Sequence, residues 1–249
     1  MTAPVFVVDS LRPQDLPAGE YVLDGPEGRH AVSVKRLRAG EDVVLTDGRG
    51  HWAEGVVKAA EGKDRLVVGV PGGVREEPAE QPRITVVQAL PKGDRGELAV
   101  ETMTEVGVDA IVPWAASRCI TQWKGERGLK ALGKWRATAR EAGKQSRRVR
   151  FPDVADAATS KQVASLLADA DFAAVLHESG DAPLSAAELP ATGDIVLVVG
   201  PEGGVSPEEL ALFAEAGARP HRLGRSVLRT STAGTAATAV LLSRTGRWS

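Results

Sequence analysis

The chain has 249 residues, 43% of them hydrophobic and 26% charged, with a formal net charge of −2, the balance of an ordinary globular protein with a real core. Cys119 is its single cysteine, which excludes an internal disulfide and any multi-cysteine metal centre. No apolar run approaches the roughly 20 residues that cross a bilayer, and the start of the chain has no basic stretch leading into an apolar one, so a cytoplasmic protein without a membrane segment is expected.

The first seventy or so residues read as short strands at 5–8, 21–23, 43–46, 51–57 and 66–68, β-branched or aromatic-rich and separated by turn residues. Asp47-Gly48-Arg49-Gly50 carries an Asp-Gly hairpin signal between two of them. Ala31, Val34 and Leu37 have helical spacing and predict one short helix. Many short strands with close turns favour a small barrel. Residues 73–82, polar and rich in Gly and Pro, read as a linker.

Beyond it strands alternate with helices, the pattern of a parallel sheet. Residues 84–90 predict a strand, and Asp94 a cap for a helix that buries Ala99, Met103 and Val106 and stops at Gly107. A strand at 110–112, a basic helix at about 128–146 and a helix at about 160–168 follow. Strands are predicted at 172–176 and 195–199, the second apolar throughout, as a strand covered on both faces should be. A short strand ends at Leu223, and a helix capped by Thr230, Ser231 or Thr232 closes the chain. Its small residues Ala233, Gly234, Ala236, Ala237 and Ala239 imply close helix packing.

Charge is unevenly spread. Lys134, Arg136, Arg140, Lys144, Arg147, Arg148 and Arg150 are opposed only by Glu141, and Arg29, His30, Lys35, Arg36 and Arg38 form a second basic group. Either alone is equally well a solvated face; two in a slightly acidic chain favour a polyanion partner.

Three segments carry chemistry. In Val199-Gly200-Pro201-Glu202-Gly203-Gly204-Val205-Ser206-Pro207 a buried strand ends in a glycine loop, and Ser206 with Glu209 forms a capping box ahead of the next helix. Glycines let backbone approach a ligand at the carboxyl end of a parallel strand, although a tight turn explains the same residues. Neither the dinucleotide fingerprint nor a phosphate loop is present. Arg229, between an apolar loop and a helix start, is either an ion-pair partner or a group aimed at an oxyanion or phosphate. Leu176-His177-Glu178 ends a strand with two polar residues suited to acid–base work or to loop hydrogen bonds. The four histidines, His30, His51, His177 and His221, have no metal-ligand spacing, and no metal is expected. The three segments end three strands of one sheet and are expected to meet in one pocket.

Gly200-Pro201-Glu202-Gly203-Gly204 followed by Leu223-Gly224-Arg225-Ser226-Val227-Leu228-Arg229-Thr230 resembles the paired loops of the RsmE family. These are uridine-N3 methyltransferases of small-subunit ribosomal RNA, within the SPOUT class. Glu105-Val106-Gly107-Val108, Ser117-Arg118, Ala142-Gly143-Lys144-Gln145-Ser146-Arg147-Arg148 and the stretch from His30 to Gly40 resemble further family segments in order, so the likeness spans nearly the whole chain. One departure is Ser231, where the family pattern LRTETA has a glutamate.

The resemblance implies an α/β SPOUT methyltransferase domain with a carboxyl-terminal trefoil knot at 83–249, preceded by a PUA-like β-barrel at 1–72 and the linker at 73–82. It implies S-adenosylmethionine-dependent methylation of a 16S ribosomal RNA uridine in the assembled small subunit, by a homodimer whose small-residue helices pack across the interface. The methyl donor is expected at Leu176, His177, Gly200, Pro201, Glu202, Gly203, Gly204, Leu223, Gly224, Ser226, Val227, Leu228 and Thr230, and catalysis at Arg229. RNA is expected at Arg29, His30, Lys35, Arg36, Arg118, Lys144, Gln145, Arg147 and Arg148. The alternatives are a SPOUT enzyme acting on another nucleotide and a non-catalytic RNA-binding ribosome-assembly factor.

Overall fold

The structure, a computed structural model, describes residues 3–9, 11 and 19–248; the start of the chain, where a leader would stand, lies partly outside them. The chain forms two compact units, Met1–Ala79 with Gly143–Phe151, and Glu80–Ala142 with Pro152–Ser249.

The first unit holds β1 (Val5–Val7), β2 (Gly19–Leu23), β3 (Asp42–Thr46), β4 (His51–Glu61), β5 (Arg65–Val70) and β6 (Arg75–Glu76). Their order is β1-β3-β4-β5-β2, with β6 on β4. Along β4, Ala53, Gly55 and Val57 point inward and Glu54 and Lys58 outward, the period-2 pattern of a sheet with one covered face. Asp47 makes the predicted hairpin: its Oδ1 accepts from the amides of Arg49 at 2.7 Å and His51 at 3.2 Å.

The predicted helix at Ala31–Leu37 is displaced. Helix α1 (Gly25–Arg29) starts earlier, with Pro26 in its first turn, and runs into a π turn at His30–Val34. The wider π turn breaks the 3.6-residue spacing, so Ala31 is buried while Val34 is 66% exposed. Part of the expected linker is also strand: Arg75 pairs with Trp52, and its guanidinium lies 5.1 Å from that indole.

Residues 143–151 pack into this first unit, inside a range that sequence alone assigns to the later domain. Thr46 donates to the Val149 carbonyl at 2.8 Å, and the Phe151 amide to Gly48 at 2.8 Å. Lys144 is buried, with Nζ 2.9 Å from the Glu27 carboxylate.

The second unit alternates β7 (Arg83–Ala89), α2 (Arg95–Val106), β8 (Ala110–Trp114), α3 (Gly125–Gln145), β9 (Asp153–Val154), α4 (Ser160–Ala168) and β10 (Phe172–Leu176). It continues through β11 (Ala182–Pro183), β12 (Asp194–Val199), α5 (Pro207–Glu215), β13 (Arg219–Arg222) and α6 (Thr230–Arg244). The sheet order is β11-β13-β10-β12-β7-β8-β9, parallel throughout. Central β12 is buried from Ile195 to Val199, as its uniform apolarity requires.

Helix ends follow local chemistry in most places. Gly107, at φ 113°, stops α2, and Ser206 and Glu209 make both bonds of the capping box on α5. Two expected caps are absent: the Asp94 side chain makes no cap bond, and the residue at the cap of α6 is Arg229 rather than Thr230, Ser231 or Thr232.

Three of the small residues of α6 pack within the chain, while Ala236 and Ala239 are half-buried. The buried face of the helix, including Ala233, Gly234 and Ala237, lies against the core, and a side chain at Gly234 would collide with the Met103 sulfur. Thr102 and Thr235 share a 2.7 Å hydrogen bond between α2 and α6. Arg247 then pins the end of the chain, donating to both Asp109 oxygens at 2.6 and 3.1 Å.

The position of β13 is decisive for the site. It lies between β10 and β11, so the connection 177–181 spans the end of the strand from which 223–229 leave for α6. A threaded tail requires such a crossing. Among the described residues no helix is long and apolar enough to cross a membrane, and no group of three His, Cys, Asp or Glu is placed to hold a metal.

Candidate active site

Strands β10, β12 and β13 end side by side, and the chain turns out of the sheet after each. Their loops, with the start of α6, enclose a cleft of about 780 Å³ including its open mouth. Each loop is tied to another. The His177 amide donates to the His221 carbonyl at 3.0 Å, and Arg222 Nη1 donates to the carbonyls of Gly180 at 2.8 Å and Asp181 at 3.0 Å, clamping loop 177–181 across β13. Thr230 Oγ1 donates to the Gly200 carbonyl at 2.9 Å, joining α6 to the glycine loop. Gly204, at φ 74°, turns that loop back toward its helix in a conformation that a side chain disfavours.

Eleven of the thirteen residues expected to hold a cofactor line this cleft: Leu176, His177, Gly200, Pro201, Gly204, Leu223, Gly224, Ser226, Val227, Leu228 and Thr230. Glu202 and Gly203 do not; they face a recess beside it. The loop turns at Pro201, which puts the Glu202 carboxylate on the Lys92 amide at 3.1 Å instead. Glu178, read from the sequence as suited to acid–base work, and Arg225 of the second loop also line the cleft, as do His221 and Arg222, which sequence reasoning does not assign to the donor. Nothing local marks His221 or Arg222, because strand pairing brings them there.

The walls combine apolar and glycine positions, among them Leu176, Gly200, Leu223 and Leu228, with polar side chains such as His177, Glu178 and Arg222. His221 is buried with Nδ1 unpartnered, and burial holds its pKa below the ordinary value, so the ring is neutral. His177 Nδ1 accepts from the Ser179 amide at 3.2 Å and lies 2.7 Å from the Ser179 hydroxyl, so this ring edge is held within its own loop.

The neighbouring recess shares His177, Glu178, Pro201, Val227, Leu228 and Thr230 with the cleft, and adds Arg95, Arg118 and Arg229 from three separate segments. Arg229 is exposed and has no ion-pair partner among the described residues. Arg118 is held, Nη1 donating to the Gly203 carbonyl at 3.2 Å. Behind it, the buried Glu209 carboxylate accepts from the Ser117 amide and hydroxyl at 2.8 and 2.9 Å, from Ser160 Oγ at 2.8 Å and from the Ser206 amide at 3.2 Å. Burial opposes its ionisation, but these hydrogen bonds outweigh it and hold the carboxyl below its usual range.

A sequence profile described as an RNA methyltransferase domain matches residues 78–242, and one described as an RNA methyltransferase PUA domain matches 23–70. A ribosomal RNA small subunit methyltransferase E of Mycobacterium bovis is 42% identical, over 100% of this chain and 94% of the relative. The chain belongs to the RsmE family of RNA methyltransferases. A Bacillus subtilis protein of the same description is 28% identical over 92% of this chain and 91% of its own. Among solved structures, the RsmE methyltransferase of Neisseria gonorrhoeae bound to S-adenosylmethionine matches with TM-score 0.85 and 29% identity over 98% of each chain. A putative methyltransferase of Legionella pneumophila, also with S-adenosylmethionine, gives 0.83 and 27% over 98% of each. The SPOUT fold with a preceding PUA-like domain is therefore that of this RsmE chain.

The RNA-side residues are placed in both units. In the first, Arg29, Lys35, Gln145 and Arg147 are exposed, His30 packs edge-on against Phe6, and Arg148 is half-buried. Arg36 and Arg147 both have left-handed backbone, φ 57° and 64°, conformations uncommon outside glycine and asparagine. Lys144 must be withdrawn from the RNA face, because its ammonium is spent on Glu27 inside the unit. The basic run is not one solvated face either: Arg136 binds the Val154 carbonyl and Asp156, and Arg150 the Glu77 carbonyl.

Proposed function

We propose that this chain transfers the methyl group of S-adenosylmethionine to N3 of a uridine in 16S ribosomal RNA, acting in the cytoplasm as a homodimer on the assembled small subunit. The chain is an S-adenosylmethionine-dependent ribosomal RNA methyltransferase. The observation that carries the reading is the wall shared by a cleft built on the glycine loop and apolar residues and a recess with three arginines. One compartment suits an adenosyl group, the other an anionic nucleotide.

The cleft residues fit the donor. Adenine needs a flat apolar slot with main-chain partners, which Leu176, Leu223, Leu228 and the glycine loop supply. When bound, the donor supplies a methyl group activated by its sulfonium. The protein's own part is alignment and charge control. As the N3 proton leaves uracil, negative charge spreads onto the ring oxygens, and Arg229, exposed in the recess wall, stabilises it. Arg118, held by Gly203, orients the nucleotide from the opposite wall. The barrel of residues 1–72 is assigned to RNA, with Arg29, Lys35, Arg36 and Arg147 toward phosphates, and residues 83–249, less the 143–151 stretch, to catalysis.

The test is to map N3-methyluridine in small-subunit RNA from cells lacking this protein, with and without re-expression. Loss of one site, restored by the wild-type gene and not by the Arg229→Ala form, is expected. An unchanged modification pattern would overturn the assignment.

A further inference from the structure

A second groove lies in the same unit, on the far side of the loops that frame the recess. About 910 Å³ of space opens between residues 90–97, residues 121–123 and the first turns of α3. Its floor is aromatic. Trp135 is 2% exposed and packs directly over the start of α2, where a side chain at Gly96 would meet the indole at 2.7 Å. Trp123 stands edge-on to it, ring centres 5.0 Å apart at 80°, and is only half-buried.

The rim is basic. Arg127, Lys130 and Lys134 recur on successive turns of α3, all exposed, with no carboxylate partner among the described residues. Glu97 is the one acidic side chain in the wall. A solvated helix face would explain the cations alone. Core packing accounts for Trp135, but it leaves Trp123 half-buried in the groove beneath the cations, and an open indole under a row of cations matches the π-face and phosphates of a single-stranded nucleic acid.

Two loops connect this groove to the recess. Arg95 faces the recess while Gly93, Gly96 and Glu97 face the groove, and Arg118 faces the recess while Thr121 and Trp123 face the groove. Thr121 Oγ1 donates to the Pro91 carbonyl at 2.8 Å, tying the loops into one partition.

We infer that this groove is a subsite for an unpaired nucleotide flanking the target, its base stacked on Trp123 and its phosphates on Arg127, Lys130 and Lys134. The occupant is the same RNA strand that enters the recess, so the inference rests on the proposed function. Trp123 and the three cations are specificity and positioning residues; they touch neither the donor cleft nor the reacting atoms.

The test uses the full-length protein with a ten-residue oligouridylate and a matched RNA duplex as probes, followed by methylation of small-subunit particles. The variant Arg127→Gln/Lys130→Gln/Lys134→Gln changes only exposed side chains. It is expected to weaken oligouridylate binding, to flatten its salt dependence by about two units of slope, and to raise KM for particles with kcat and donor affinity unchanged. Trp123→Leu should weaken oligouridylate binding about tenfold, and Trp123→Phe should restore most of it, which separates stacking from folding. Unchanged oligouridylate affinity and slope in the triple variant would overturn the subsite. So would conversion of a dimer to monomers on sedimentation, which would make the groove an interface between copies. If the wild type methylates no particle, the proposed function fails, while the oligouridylate comparison still decides the groove.

Discussion

Thr230 donates its hydroxyl to the Gly200 carbonyl at 2.9 Å, so the first residue of the last helix holds the end of the central strand β12. The two residues are 30 apart in sequence and both line the cleft. Replacing Thr230 by Val keeps shape and removes the bond. The expected loss is about 1 kcal/mol, or roughly fivefold in S-adenosylmethionine affinity by calorimetry, with the melting temperature changed by only a few degrees.

Arg229, one residue earlier, has the opposite profile. It is exposed beside the recess and stabilises nothing by pairing within the described chain. Arg229→Ala should leave stability and donor affinity near wild type and lower kcat for methylation by about 100-fold or more. Equal losses in donor affinity and kcat would assign it a structural role.

Glu209 is the group to follow with pH. Each of its oxygens accepts two hydrogen bonds, so in Glu209→Gln the amide NH2 faces a donor whichever way it turns. A loss of about 2 kcal/mol or more in stability is expected, with Arg118 freed from its position beside Gly203. Because the folded carboxyl is held below its usual value, its stabilisation is complete above the unfolded value near 4.3 and is lost as pH falls through the lower folded value. Denaturant melts between about pH 6 and 2 should show this acid limb in the wild type and a shallower one in the variant. Identical limbs would reject the role.

Lys144 and Glu27 form a pair with side chains only 7% and 14% exposed. Removing either partner leaves a charge in a poorly solvated place, and Lys144→Met or Glu27→Gln should each cost about 3 kcal/mol in unfolding experiments. Neither should alter the salt slope of RNA binding. Arg147→Gln should flatten that slope by about one unit. A slope change in Lys144→Met at constant stability would return this lysine to the RNA face.

Legibility in the amino-acid sequence follows the range over which each interaction acts. The apolar run 195–199, the Ser206/Glu209 box and the Asp47-Gly48 hairpin act over a few residues, and each appears where expected. Arg229 and the glycine loop are legible as candidates because their chemistry is unusual for their position. The α1 region departs from its sequence pattern because a π turn changes the spacing that helical periodicity assumes.

The sequence by itself therefore determined the element types, the parallel sheet and the family likeness, all of which arise from short-range preferences and local pattern. Only the tertiary structure decided that β13 lies between β10 and β11, that Lys144 is spent on Glu27, and that Arg95 and Trp123 stand on two sides of one partition. These are pairings between residues far apart in the chain. Nothing in either partner's neighbourhood encodes them, because their energy comes from burial and contact that exist only once the sheet has closed.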